Sequence, residues 1–199
     1  MRLFASVTPP AEVLDHLGTA LAMLGDLPPA PVRDPRRRRP ARAAMRSPWT
    51  PRETWHLTLA FFGEVPDGAI PDLESLMAGA TGDLAPFRIH LTGAGTFRGS
   101  VLWVGVGGET GPLGAVVDAL VPVHEEISGR QDPRERNRAH LTVSRSTTTD
   151  LAAAAHALAV YQGPSWTVDE IELVASDLGA GPQGSPVHTT VARFPLGGR

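Results

Sequence analysis

The sequence predicts an α+β fold duplicated into two lobes, with antiparallel sheets lining a central cleft, helices outside and a pseudo-twofold axis between the halves. Three observations carry that prediction. A His-Leu-Thr strand occurs at His56 and again 84 residues later at His140, each followed by helix, strand and strand. Ile89 and Ile171 stand 82 residues apart at matching places in the strands that follow. RLFASV, Pro-Pro and a helix are echoed by VLWVGV, Gly-Pro and a helix. Shared element order at similar offsets is a stronger sign of duplication than any single matching stretch. Sheets that bury one face under helices are the layered solution such a pattern allows.

Arg2 to Val7 alternates as a strand, and Pro9-Pro10 opens a helix through AEVLDHLGTALAML. There Val13, Leu14, Leu17, Leu21 and Leu24 recur at helical spacing and give one face that seeks a sheet. Residues 27–48 are too rich in proline and arginine for a regular element and read as a long loop. TWHLTLAFFGEV is a strand ended by Gly63, and PDGAIPDLESLMAGA is a helix. FRIHLTGAGTF and SVLWVGVGG form a hairpin turning at Arg98-Gly99. PLGAVVDALVPVHEEIS is a helix in which Pro122 predicts a kink or an early end. AHLTVSR is a strand, and DLAAAAHALAVYQG a helix closed by Gly163. WTVDEIELVASDL and SPVHTTVARFPL are the last two strands.

With 199 residues, 42% of them hydrophobic and 20% charged, the chain has the size and balance of a globular protein with a real core, expected as a single domain over 1–199. No apolar run approaches the roughly 20 residues of a membrane helix. MRLFASVTPP enters directly into a strand, without the apolar region and cleavage site of a secretion signal, so a cytoplasmic location is expected. Absence of cysteine excludes disulfides, thiolate metal sites and a thiol nucleophile. The net charge is −3, yet all 18 basic residues are arginine, seven of them between Arg33 and Arg46 and four more at Arg130, Arg134, Arg136 and Arg138. A guanidinium fork suits phosphate, although an arginine run in a Pro-rich loop is usually a solvated surface.

Strand alternation places His56 and Thr58 on one face and Leu57 and Leu59 on the other. His140 and Thr142 repeat the arrangement against Leu141 and Val143. Two facing imidazoles supply what phosphodiester hydrolysis requires, one taking a proton from water and the other giving one to the departing alkoxide. The two threonine hydroxyls are placed to donate to non-bridging phosphate oxygens. This chemistry calls for no metal and no cofactor. Either triplet alone is a chance match; the specificity lies in two copies at equivalent places. His16 and His156 lie on helices without a matching partner, His90 is directed to solvent or to the cleft, and His124 beside Glu125 and Glu126 lacks the convergence of a metal site. No Gly-x-x-x-x-Gly-Lys loop is present, which argues against nucleoside triphosphate hydrolysis.

Nearly the whole chain resembles the two-histidine phosphoesterases, and within them the LigT-like RNA 2′,3′-cyclic phosphodiesterases. The similarity is carried by RLFASVTPP, WHLTLAFFGEV, GTFRGSVLWVGV, AHLTVSR and IELVASDLGAGPQGSPVHTTVARFPL. The resemblance implies that His56 and His140 are catalytic and that Thr58, Thr142 and Arg145 hold phosphate. Phe61 matches an aromatic position that packs on a base, or else belongs to the core. It further implies opening of a 2′,3′-cyclic phosphate to a 2′-phosphate, with the reverse reaction joining 2′,5′ ends. RNA ends are the expected substrate and a monomer the expected unit; the alternatives are a small cyclic nucleotide such as an ADP-ribose cyclic phosphate, or a non-catalytic RNA-binding module. The pseudo-symmetry leaves the substrate's orientation open, with His56 as general acid and His140 as general base the working assignment. His188 departs from the family pattern, which has tyrosine there, and the loop before the first motif is longer than the family's.

Overall fold

The computed structural model describes residues 1–25, 27–28, 48–129 and 139–197. Nearly all of the Pro/Arg-rich loop, including Arg33 to Arg46, and the cluster from Arg130 to Arg138 lie outside these residues.

In chain order the elements are β1 (Arg2–Val7), α1 (Ala11–Met23), β2 (Leu57–Glu64), α2 (Ile70–Thr81), β3 (Phe87–Phe97), β4 (Val101–Gly108), α3 (Thr110–Ser128), β5 (His140–Arg145), α4 (Leu151–Ala157), β6 (Gln162–Val168), β7 (Glu170–Asp177) and β8 (Val187–Pro195). The eight strands form one antiparallel sheet in the order β6-β3-β4-β5-β2-β1-β7-β8. The two expected lobes are its halves, joined at a seam where β2 meets β5 through the pair Leu57 and Leu141. Counted outward from the seam, β2, β1, β7 and β8 answer β5, β4, β3 and β6. This is the symmetry that the sequence echoes predict: RLFASV lies opposite VLWVGV, and Ile89 on β3 opposite Ile171 on β7, both fully buried. Each repeat therefore lends its third strand to the other repeat's half, β3 pairing with β4 and β7 with β1.

The sheet curls. Expected as a single strand, 166–178 falls into two, because β6 and β7 are separated by Asp169 alone yet lie in opposite halves. Only a sheet bent round on itself brings those halves within one residue of each other, and twist accumulated over eight strands favours such bending. The helices cover the outer face: α1 packs on β6, α3 on β2 and α2, and α4 on β3 and β4. The buried face of α1 comprises Val13, Leu14, Leu17 and Leu21, as its spacing predicts. With Leu57, Leu59, Ile89, Leu91, Leu141, Val143 and Ile171 they form one continuous core. Among the described residues no helix is long and apolar enough to cross a membrane.

Several boundaries differ from the expectation. α3 continues past Pro122 to Ser128, since burial of Leu113, Val116, Leu120 and Val123 outweighs the missing hydrogen bond, and it ends at Gly129 in the left-handed conformation. α4 stops at Ala157, and Gly163 instead lies in β6. Its start is fixed by the Asp150 carboxylate, which accepts from the amides of Ala152 and Ala153. Gly63 lies inside β2 rather than after it. The β3–β4 turn falls at Arg98-Gly99 as predicted, with φ of 51° and 69°, closed by the Ser100 amide on the Phe97 carbonyl, and three residues in all part the strands.

Candidate active site

The inner face of the curled sheet, opposite the core, holds the candidate site. At the seam Leu57 faces Leu141, and both side chains are buried in the core. In an antiparallel pair, neighbours one residue to either side share the other face. Continued by one residue, that register sets His56 level with Thr142 and Thr58 level with His140, with all four side chains on the inner face. The duplicated motifs thus meet about the pseudo-twofold axis. His56 itself sits one residue ahead of β2, after a short helical turn at 52–54 that directs the Thr54 carbonyl towards its ring.

His56 is held at both nitrogens. Its Nδ1 lies 2.8 Å from the Thr54 carbonyl oxygen and its Nε2 3.0 Å from Thr58 Oγ1. A carbonyl only accepts, so Nδ1 carries the proton and the neutral ring presents its Nε2 lone pair to the Thr58 hydroxyl, which donates. The His56 pKa is lowered to about 4, first by burial and then by repulsion from His188, with a smaller contribution of the same sign from His140. The hydrogen bond to Thr54 and the Glu172 carboxylate act in the opposite direction. Near neutrality this ring is uncharged.

Arg145 and Phe61 both follow their motif histidine by five residues, an odd offset that a regular strand would turn to the core. A register shift in each pairing returns them to the inner face. Trp103 pairs with Thr142 and Val101 with Arg145, so Arg145 shares a face with Thr142. Ser6 pairs with Thr58 and Phe4 with Phe61, so Phe61 shares a face with Thr58. Arg145 is exposed at the end of β5. The ring of Phe61 is covered by the Arg2 guanidinium, 4.6 Å from its centroid, and is only partly buried. His16 contacts Tyr161, and His124 lies against the Phe61 carbonyl on the helix side, so neither adjoins the motif pair. His90 packs over Gly107, where a Cβ would come within 2.7 Å of its Nε2.

Four aromatic or ionisable neighbours of the pair went unassigned in the sequence. Phe4 stacks on His56 with ring centroids 4.7 Å apart and planes at 30°. His188 stands edge-on to His56 at 5.1 Å. Beside His140, Phe97 lies edge-on at 5.0 Å and Trp103 at 6.2 Å. Phe97, Trp103 and His140 line a largely apolar cleft of about 580 Å³ that also takes in Val106, Leu113 and Val117; His56, Phe4 and His188 are not among its walls. Phe97 is 45% exposed, unusual for a phenylalanine and fitting for the rim of a cleft. Strand alternation marks Phe4 as facing away from Leu3 and Ala5, which was a usable signal; nothing local marks Phe97 or His188. Among the described residues no three histidine, aspartate or glutamate side chains converge as a metal site.

A family model described as the 2′-5′ RNA ligase superfamily matches residues 27–180. A curated RNA 2′,3′-cyclic phosphodiesterase of Thermus thermophilus is 32% identical over 151 residues, covering 72% of this chain and 72% of that protein. A second of that name, from Geobacillus stearothermophilus, is 30% identical over 156 residues, 74% of this chain; the chain spans about half of its length, 47%. Among solved structures, a protein of Thermus thermophilus superposes with a TM-score of 0.70 at 29% identity, covering all of this chain and 99% of the other. E. coli LigT has the same fold, with a TM-score of 0.69 at 24% identity, covering 98% of this chain and 96% of the other.

Proposed function

This chain belongs to the 2′-5′ RNA ligase superfamily, and from that membership we propose that it is an RNA 2′,3′-cyclic phosphodiesterase. Two curated relatives at 30–32% identity bear that name. The observation that carries the reading is the Leu57–Leu141 register, which brings two imidazoles and two hydroxyls to one face at the centre of the sheet.

In the proposed reaction His140 takes a proton from water, and the water oxygen attacks phosphorus. The bond from phosphorus to the 3′ oxygen breaks as His56 delivers a proton to that oxygen, leaving a 2′-phosphate and a free 3′-hydroxyl. Thr142 and Arg145 hold the non-bridging oxygens as charge gathers on them, and the Thr58 hydroxyl, whose one proton goes to His56 Nε2 in the free protein, turns to the phosphate once that nitrogen is protonated. These roles keep the working assignment from sequence: in the free protein His56 is neutral with its Nδ1 proton on Thr54, and a phosphate anion bound beside the ring favours the added Nε2 proton that it delivers. Both proton transfers are supplied by side chains, so the scheme needs no metal. With a 5′-hydroxyl in place of water as nucleophile, the same forward step breaks the bond to the 3′ oxygen and forms a 2′,5′ bond. Arg2 lies over one face of the Phe61 ring, and Phe97 and Trp103 line open space beside His140.

All four motif residues come from one chain, so a monomer is the proposed unit, and a chain without cysteine suits the cytoplasm. The test is incubation with an oligonucleotide ending in a 2′,3′-cyclic phosphate and, separately, with mononucleotide 2′,3′-cyclic phosphates, in chelator. A 2′-phosphate product from the oligonucleotide is expected. A 3′-phosphate product, or activity abolished by the chelator, overturns the mechanism; turnover of mononucleotides alone overturns the RNA substrate.

A further inference from the structure

The two halves of the sheet are alike in topology and unlike in what they place beside their motif. Across from His140 on β4 stands Gly105, and across from Thr142 stands Trp103, itself opposite Gly95 on β3. Both glycines are bare by necessity: a Cβ on Gly105 would come within 2.9 Å of the Thr92 carbonyl oxygen, and one on Gly95 would strike the indole. The answering half has Ser6 across from Thr58 and Glu172 across from Ser6. Glu172 is buried and held by Thr8 at 2.6 Å and Arg193 at 3.1 Å, and Phe4 and His188 pack directly on the His56 ring. One side of the site is therefore filled and polar, and the other is hollow and aromatic.

The hollow side is the cleft of about 580 Å³, within the roughly 300–1,000 Å³ of small-molecule sites. Phe97 stands half-exposed at its rim, Trp103 forms a wall, and α3 contributes Thr110, Leu113 and Gly114. Displacement at phosphorus sets the attacking and the departing oxygen roughly in line. In the proposed reaction, on which this rests, His140 is the base and His56 the acid, so the ribose that bears the 2′ and 3′ oxygens lies towards His56. The cleft lies beside His140, on the side where the nucleophile arrives. Water needs no such room; a nucleoside does.

We infer that this cleft is an acceptor subsite: it holds the nucleoside whose 5′-hydroxyl attacks, with its base against the Phe97 and Trp103 rings. His140 takes the proton of that hydroxyl, the 5′ oxygen bonds to phosphorus, and the bond to the 3′ oxygen breaks as His56 protonates it. Occupancy of the cleft thus sets how often a cyclic phosphate is joined to a second strand instead of being hydrolysed. Every base has a π-face, so stacking admits a 5′-hydroxyl end whatever its sequence.

The test gives the full chain an oligonucleotide ending in a 2′,3′-cyclic phosphate together with rising amounts of a 5′-hydroxyl oligonucleotide, and counts joined and hydrolysed product in one reaction. Both nucleophiles use His140, so damage to that ring or to the fold lowers the two products alike and leaves their ratio. Phe97→Ser removes the ring at the rim. Gly114→Leu acts from α3, where an added Cβ meets nothing within 4 Å, so the side chain enters the cleft while leucine favours the helix. In both variants the ratio of joined to hydrolysed product should fall at least about fivefold, the low end of what one stacked base is worth. An unchanged ratio in either folded variant overturns the subsite, and so does a wild type that hydrolyses the cyclic phosphate and joins nothing at any acceptor concentration. Binding of the 5′-hydroxyl dinucleotide ApA, followed by NMR at the Trp103 indole, separates subsite from reaction. A signal that moves in the wild type and not in Gly114→Leu upholds the subsite even if no cyclic phosphate is opened, and the reaction then fails alone. A signal that stays still in the wild type overturns the subsite whatever the turnover.

Discussion

Leu57 of β2 pairs with Leu141 of β5, and both side chains are fully buried at the seam that joins the two halves of the sheet. The position of each motif histidine follows from this pair, because each stands one residue before its leucine. Leu57→Ala should cost about 2–5 kcal/mol, as large-to-small core changes do. It should also lower kcat at temperatures where the variant is still folded. Urea unfolding with activity measured alongside checks this; lost stability with unchanged kcat would mean that the seam does not set the geometry.

His56→Ala and His140→Ala should each reduce turnover of a cyclic-phosphate substrate by about 10²–10⁴-fold. Because the two groups act in one transition state, the double variant should lose far less than the product of the single losses. Turnover within a few-fold of wild type in either single variant would remove that residue from the pair.

Thr142→Val replaces a hydroxyl by a methyl group of similar size on the inner face. If the hydroxyl donates to phosphate only as charge develops, kcat falls by about 10²-fold with little change in KM. Thr58→Val should lose as much, and should also free His56 Nε2 from its 3.0 Å hydrogen bond. A rise in KM alone would assign the threonines to ground-state binding.

His56 makes stability depend on pH, with a definite sign. Its folded pKa of about 4 lies below the ordinary value of 6.5, so between those limits the unfolded chain takes up a proton that the folded chain refuses. The stabilisation is fully present above pH 6.5 and is lost as pH falls towards 4, on the order of 3 kcal/mol in all. Urea unfolding at pH 7.5 and at pH 4.5 should show the loss, and His56→Gln should shrink it. An equal loss in the variant would place the pH dependence elsewhere.

Gly95 lies beneath the Trp103 indole, where an added Cβ would meet Trp103 Cζ2 at 2.3 Å. Gly95→Ala must displace that ring from the cleft beside His140, at a cost of about 1–3 kcal/mol. Tryptophan fluorescence should change, and KM for a 5′-hydroxyl oligonucleotide in the joining reaction should rise more than kcat falls. Unchanged KM would mean that Trp103 does not contact substrate.

The duplication and the paired motifs were legible because they are local or periodic. His56, Thr58, His140 and Thr142 share a face by strand alternation, and matching offsets reveal the repeat. What escaped was set by curvature. β6 and β7 read as one run because only Asp169 parts them, and no local pattern says that the sheet bends there to change halves. His188 escaped for the same reason, since its approach to His56 crosses three strand spacings. The faces of Arg145 and Phe61 depend on register shifts that take an extra residue into a strand, and the partner strand that defines such a shift lies far off in sequence. Pro122 was overruled by the burial of its helix.

The exchange of third strands between the repeats also has a consequence for how the chain emerges from the ribosome. β1 ends at Val7, but β7, which covers its second edge, begins at Glu170. At about 5–20 residues per second, synthesis leaves that edge waiting on the order of 10–30 s. During this interval the nascent amino-terminal half has two of its four strands and cannot close, so the chain is exposed to wrong pairing in vivo by the same exchange that locks its finished halves together.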